Sequence, residues 1–388
     1  MSYKLALTGL VASLLLGTAA AQSAEAHPLL PTWKCTTSGG CVQQNTSVVL
    51  DRDSKYAKGA AGSRTAADYA AMGVSTSGNA VTLYHYVKTN GALTPASPRI
   101  YLLGEDNKYV LMSLLNNQEL SVDVDLSSLP CGENGAFYFS EMAADGKGNA
   151  GAGDGYCDAQ CQGYCCSEMD ILEANSQATA MTPHPCKGNN CDKGGCGYNP
   201  YASGQRSYWG PGKTVDTSKP FTVITQFMAS GGKLTSITRK YVQNGRQISG
   251  GGTINSCGSE GSTGGMTGMG EALGRGSKFL ALSLLGGCCC QYRPFYSVLT
   301  PDFLPSGPSN EHLERCGPAD GMARLGQQRT LHQRPGQPVQ HPVAASRHSR
   351  RLFQHPVGRY RVYQQELSQC SVRRETGSCS VMPFSHSL

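Results

Sequence analysis

The chain has 388 residues, with 48 glycines, 17 cysteines and 15% charged side chains. That length gives room for one large core, and the composition excludes a mainly helical protein in favour of a loop-rich β-protein. The net charge of +6 lies entirely in the tail: residues 1–309 carry equal numbers of basic and acidic groups, whereas 310–388 carry eleven arginines, no lysine and five acids.

The chain opens with Lys4, an apolar run from Leu5 to Leu16, and the small residues Gly17-Thr18-Ala19-Ala20-Ala21. This reads as a secretory signal over residues 1–21, cleaved after Ala21 to leave Gln22 first; the run is too short for a membrane span. No later stretch is apolar enough to span, so the product is expected to be secreted, extracellular and free of membrane. Asn45-Thr46-Ser47 is a glycosylation sequon usable in that compartment. Cysteines in an exported chain read as a disulfide framework, and their odd number leaves at least one to be explained. A zinc site of Cys157, Cys161, Cys165 and Cys166 is disfavoured by export and by the adjacent double cysteine.

Strand-like runs follow at Val81–Val87, Arg99–Leu103, Tyr109–Leu126, Ala136–Ser140, Phe221–Phe227, Leu234–Val242 and Phe279–Leu285. Gln243-Asn244-Gly245-Arg246 reads as a hairpin turn. No long helical periodicity appears, and many strands with long loops predict a sandwich of two antiparallel sheets. One stretch in the middle is unusual: Glu168-Met169-Asp170-Ile171-Leu172-Glu173 sets three carboxylates in an apolar frame. On a strand Glu168 and Asp170 share a face, while Glu173 has the opposite parity and joins them only across a bend or bulge. Crowded carboxylates resist ionising together, and a charged carboxyl beside a protonated one can cleave a glycosidic bond. The same spacing also fits an exposed acidic edge or a calcium site.

The run EMDILEANS, with GYCC before it and TPHPC after it, resembles the active-site signature of glycoside hydrolase family 7, the fungal retaining endoglucanases and cellobiohydrolases. The resemblance extends from Trp33 to Leu285 with two gaps. It implies a concanavalin-like β-jelly roll of two curved sheets with disulfide-pinned loops, and a cleft for cellulose and other β-1,4-glucans. It implies Glu168 as nucleophile, Glu173 as acid/base, Asp170 as the carboxylate that orients the nucleophile, and His184 on the leaving-group side. Asn134, Tyr138, Tyr156, Asp158 and Gln160 fall at the family's sugar-binding positions. The implied disulfides are Cys35–Cys41, Cys157–Cys166, Cys161–Cys165, Cys186–Cys191 and Cys196–Cys257, which leave Cys131 alone among the eleven cysteines up to Cys257. Double displacement by such a site needs no metal or cofactor, and the two catalytic carboxyls are expected about 5–5.5 Å apart. The short Cys186–Cys196 segment leaves no room for a tunnel roof, so endo-cleavage by a monomer is expected, with a cellobiohydrolase or an inactive glycan-binding remnant as alternatives. No nucleic-acid partner is expected.

Three places break the family pattern. The stretch between Asp51 and Ala67 lacks the family's aromatic pair and cysteines, and a loop is missing after Cys161. After Leu285 the resemblance ends, so the catalytic sandwich is expected to span 22–285 and to be incomplete. The Arg/His/Gln/Pro-rich remainder, 286–388, reads as an intron-derived, frame-shifted tail with no order of its own. The genetic code supports this: read from the second base of each codon, Met322-Ala323 must spell tryptophan, and Leu313-Glu314 permits a second. Ser349 to Tyr363 can spell HVVFSNIRWGDIGST, and Leu367-Ser368 permits a stop. These strings resemble the family's C-terminal strands and supply a cysteine for Cys131. The chain as written would then lack core strands, and it is expected to misfold or to be inactive.

Overall fold

A computed structural model describes residues 24–36, 40–115, 117–275, 277–278, 280–286 and 359–366, the last three segments by their backbone alone. The signal segment and most of the tail lie outside the described residues. Two sheets dominate. One has six strands in the order Thr179–His184, Glu168–Ala174, Glu133–Ser140, Leu280–Gly286, Arg99–Leu103 and Ser47–Leu50. The other has ten, with Gln118–Val124, Phe221–Ser230 and Lys233–Gln243 running side by side. This is the expected two-sheet sandwich, antiparallel except for one parallel pair in the larger sheet. No helix among the described residues is long and apolar enough to cross a membrane.

Alternation explains how the sheets meet. In Gln118–Val124, Leu120, Val122 and Val124 are buried, and the intervening side chains are only partly so. Phe221–Ser230 and Lys233–Gln243 alternate in the same way and join at Gly231-Gly232, and Lys233–Gln243 turns into Arg246–Ile248 at Asn244-Gly245; all four turn residues adopt positive φ, as tight hairpins of this twist require. The strand Glu133–Ser140 is buried on both faces. Phe137 and Phe139 enter the core between the sheets, whereas Ala136 and Tyr138 enter a second, smaller cluster with Val49, Tyr101 and Tyr109. That second face of the six-stranded sheet is the one that carries the carboxylates.

Several boundaries differ from the sequence reading. The run 81–87 is two strands, Ala80–Leu83 and Tyr86–Thr89, in different sheets. The run 109–126 breaks before Gln118. A ten-residue helix, Gly265–Gly274, buries Met266, Met269 and Leu273 despite four glycines that obscure its periodicity. The five expected disulfides are all present. Cys131, expected to be alone, is disulfide-bonded too, to a residue outside those described. The four cysteines weighed for zinc are all in disulfides, so none is a thiolate ligand.

The tail contributes one strand that the sequence reading did not place. Arg359–Glu366 lies inside the larger sheet, parallel to Thr32–Thr36 and antiparallel to both Gln118–Val124 and Ala80–Leu83. Its register sets Tyr360, Val362 and Gln364 opposite Val124, Val122 and Leu120.

Phe137 is fully buried and meets Phe139 edge to face at 6.5 Å. Phe137→Ala is expected to destabilise the fold by about 3–5 kcal/mol, read as a lower guanidinium midpoint with an unchanged slope.

Candidate active site

The parity problem of Glu173 is resolved by a bulge. On one side, Glu168, Asp170 and Glu173 stand opposite Ser140, Tyr138 and Ala136; on the other, opposite His184, Thr182 and Ala180. Each partner series steps by two residues, so all three carboxylates share one face. Ile171 has no register partner in either neighbour, and the two residues Ile171 and Leu172 face Met181 alone. The extra residue turns Glu173 over.

Each carboxylate has its own anchor. Ala159 N–H donates to Glu168 Oε2 at 3.1 Å. Asn134 Nδ2 donates to Glu173 Oε1 at 2.9 Å. His184 Nε2 lies 3.1 Å from Asp170 Oδ2, and its Nδ1 donates to the Asp192 carbonyl at 2.8 Å. A carbonyl can only accept, so Nδ1 carries a proton, and a second proton on Nε2 completes an ion pair with Asp170. Burial opposes that charge on His184, but the hydrogen bond and charge of Asp170, with Glu168 and the Asp192 carbonyl, outweigh it and raise the imidazole to about 10.

Burial and the negative charge of Asp170 push both glutamates up. Glu173 reaches about 8, with His184 and Asn134 offsetting part of the rise. Glu168 also rises, against the opposing effects of His184 and the Ala159 amide. The site thus holds a proton at neutral pH. Asn134 gives Glu173 only a neutral donor, whereas Glu168 has a main-chain N–H and is itself one of the charges that raise His184. We therefore place the shared proton on Glu173.

The expected sugar-binding residues are brought together only in part. Tyr138 and Tyr156 join hydroxyls at 3.2 Å, and both sense the charge of Glu168 and Asp158. Asp158 is fully buried and accepts from Gln162 N–H. Gln160 instead donates to the Lys193 carbonyl. Among the described residues, Asn134 Oδ1, Asp158 Oδ2 and the Tyr101 hydroxyl are buried without a hydrogen-bond partner, and Asp158 as a whole lies within the influence of the Tyr156 hydroxyl. Sequence reasoning missed Arg99, whose guanidinium lies 3.5 Å from the centre of the Tyr156 ring and is held by Asp51 and Gln162. Its place on a predicted strand gave no sign of this. It also missed His85, 3.2 Å from Glu133 beside Asn134. Burial drives His85 down to about 4 and Glu133 up to about 7, so between those values the two meet as neutral groups rather than as ions.

The model of the family described as glycosyl hydrolase family 7 matches residues 60–163 and 162–259. Endoglucanase EG-1 of Hypocrea jecorina is 48% identical over 325 residues, covering 70% of each chain. Endo-beta-1,4-glucanase celB of Aspergillus oryzae is 42% identical over 341 residues, covering 68% of this chain and 82% of its own. Among solved structures, the Humicola insolens endocellulase EGI superposes with a TM-score of 0.63 at 29% identity, over 89% of this chain and 98% of its own. A cellobiohydrolase from Daphnia pulex superposes with a TM-score of 0.59 at 29% identity, over 68% of this chain and 85% of its own. With its bulged carboxylate strand and its match to the family model over half its length, the chain belongs to glycosyl hydrolase family 7.

Proposed function

We propose that the protein is a retaining endo-β-1,4-glucanase that cuts internal bonds of cellulose and related β-glucans. The observation that carries this reading is the set of three carboxylates turned onto one sheet face; burial and the charge of Asp170 raise Glu173 to about 8, which suits a proton donor. Glu168 attacks the anomeric carbon while Glu173 gives its proton to the departing oxygen. A covalent glycosyl-enzyme forms. Glu173, now a carboxylate, takes a proton from water, whose oxygen displaces Glu168 and restores both groups. Asp170 and His184 form the ion pair that orients Glu168. Asn134, Tyr138, Tyr156, Asp158 and Gln160 hold sugar. A buried polar atom without a partner costs roughly 1–3 kcal/mol, so Asn134 Oδ1 and Asp158 Oδ2 suit glucan hydroxyls.

Endo-action is supported by the segment after His184. It is a tight hairpin, Cys186–Lys187 paired with Asn190–Cys191 and pinned by the Cys186–Cys191 disulfide, with no long loop to roof the cleft. The protein works as an extracellular monomer after loss of residues 1–21. Its disulfides suit that compartment, and Asn45, exposed beside Glu105, is its glycan acceptor.

For residues 286–388 we propose the frame-shift reading, under which the chain as written misfolds or is inactive and the activities given below belong to the chain with its C-terminus read in frame; the family match ends at residue 259. One observation favours the tail as written: Arg359–Glu366 fills an internal place in the larger sheet. The nucleotide sequence of the transcript decides between them. If the codons for Glu311 to Leu367 do not carry the shifted reading, the tail is native sequence.

On soluble carboxymethylcellulose the protein is expected to cut viscosity rapidly with few reducing ends released; mainly disaccharide product would overturn endo-action. Glu168→Gln should lower turnover on the order of 10⁴–10⁶-fold while leaving oligosaccharide affinity near that of the parent. Activity is expected to fall as pH rises through about 8, where Glu173 loses its proton. The sign for stability is the same. A carboxyl whose folded value rises from 4.5 to about 8 favours the fold below 4.5 and loses that contribution as pH climbs through 8. Glu173→Gln should therefore melt with the parent in acid and above it in alkali, and a constant offset between their melting temperatures would refute the raised value.

A further inference from the structure

Arg239 occupies a core position on Lys233–Gln243, in line with the buried Ile237 and Tyr241, and is 2% exposed. A cation there is costly unless something is gained. Among the described residues no carboxylate pairs with it. Its partners are neutral: Thr225 Oγ1 accepts from Nε at 3.2 Å, the Tyr241 hydroxyl from Nη1 at 3.4 Å, and the Ile171 carbonyl from Nη2. The last bond leaves the outer sheet, crosses the core and ends on the catalytic strand. Stacked sheets lie about 10 Å apart, a gap that only a long, stiff donor spans. Room for the stem is kept by Gly251, where a Cβ would stand 2.7 Å from Arg239 Cγ.

Ile171 is the residue that the bulge leaves out of both ladders. Its carbonyl is a buried acceptor with no strand register to serve it, and Arg239 satisfies it. We propose that Arg239 is a positioning residue for catalysis: it locks the Ile171 bulge from the opposite sheet and so sets where Glu173 points relative to Glu168. The bulge lies between the two glutamates. Glu168 and Asp170, before it, are fixed by Ala159 and His184; Glu173, after it, has the single Asn134 bond. Loss of the arginine therefore falls on proton donation more than on nucleophilic attack.

The inference rests on Glu173 being the acid/base, and the test separates the two ideas. Arg239→Met and Arg239→Lys are made in the full chain. A fluorinated, slow-turnover cellobioside, read by intact mass, counts molecules able to form the glycosyl-enzyme, and rates are referred to that count. Phenyl cellobioside needs a proton on its leaving group, whereas dinitrophenyl cellobioside does not. Arg239→Met is expected to lose about 100-fold in kcat/KM on the phenyl substrate and under about tenfold on the dinitrophenyl one. The alkaline limb of its pH profile should flatten, and the lysine variant, which keeps one donor, should lie between Arg239→Met and the parent. Equal losses on both substrates, or none, overturn the proposal. Failure of both variants to label, beside a labelling parent, makes Arg239 a determinant of folding and overturns it as well. A parent that is folded by near-ultraviolet circular dichroism yet does not label sinks the assignment of Glu168 and Glu173 and this inference with it.

Discussion

Mutual repulsion of Glu168, Asp170 and Glu173 is the constraint on which the rest of the site depends. Placed on one face of one strand and largely removed from water, they cannot all ionise freely. The protein does not dilute that repulsion. It answers Asp170 with the His184 cation and raises Glu173 into the range where a carboxyl keeps its proton. The His184 ring is held in turn by the Asp192 carbonyl, and Asp192 lies just beyond the Cys186–Cys191 hairpin. Gly195 packs so closely on the imidazole that a Cβ there would lie 2.6 Å from Cε1. A short cysteine-pinned loop thus fixes an imidazole, the imidazole fixes a carboxylate, and the balance of charge between two glutamates follows.

How much of this was legible depended on whether the cause was local. Alternation of apolar residues located the sheets, and the parity of Glu173 against Glu168 and Asp170 announced a bulge before any coordinates were known. The disulfide pairs followed from family resemblance rather than from spacing. What stayed hidden was set by contacts distant in sequence. Arg99 read as an ordinary strand residue because Asp51 and Tyr156 reach it from other segments. The strand at 81–87 read as continuous because nothing local marks the change of sheet at Tyr84–His85. Arg239 did leave a signal: it shares parity with Ile237 and Tyr241, which places a cation inward. Strand propensity alone in the run 234–242 says nothing of which way each charge points.

Arg359–Glu366 was hidden for a stronger reason. Its Arg and Gln content and its setting among turn formers give no core pattern, and its parallel partner Thr32–Thr36 is more than three hundred residues away. Pairings of that span obey no local rule, and their closure entropy is met only by the contacts they complete. Here the contact is substantial, because Leu120, Val122 and Val124 of the neighbouring strand are core residues.

The two sheets consequently depend on different parts of the chain. Every strand of the six-stranded sheet lies between Ser47 and Gly286, and Leu280–Gly286 packs against the strand that partners the carboxylates. The face that carries the carboxylates therefore draws all its strands from residues 47–286. The larger sheet, in contrast, takes an internal strand from beyond that point. The sheets share one core, and Arg239 reaches across it to the Ile171 carbonyl. A fault in the larger sheet need not remove any catalytic side chain to affect catalysis. It can act through the strand pair Phe221–Ser230 and Lys233–Gln243, whose other flank is Gln118–Val124, by loosening the arginine that holds the bulge. The tail then matters to the chemistry without coming near it.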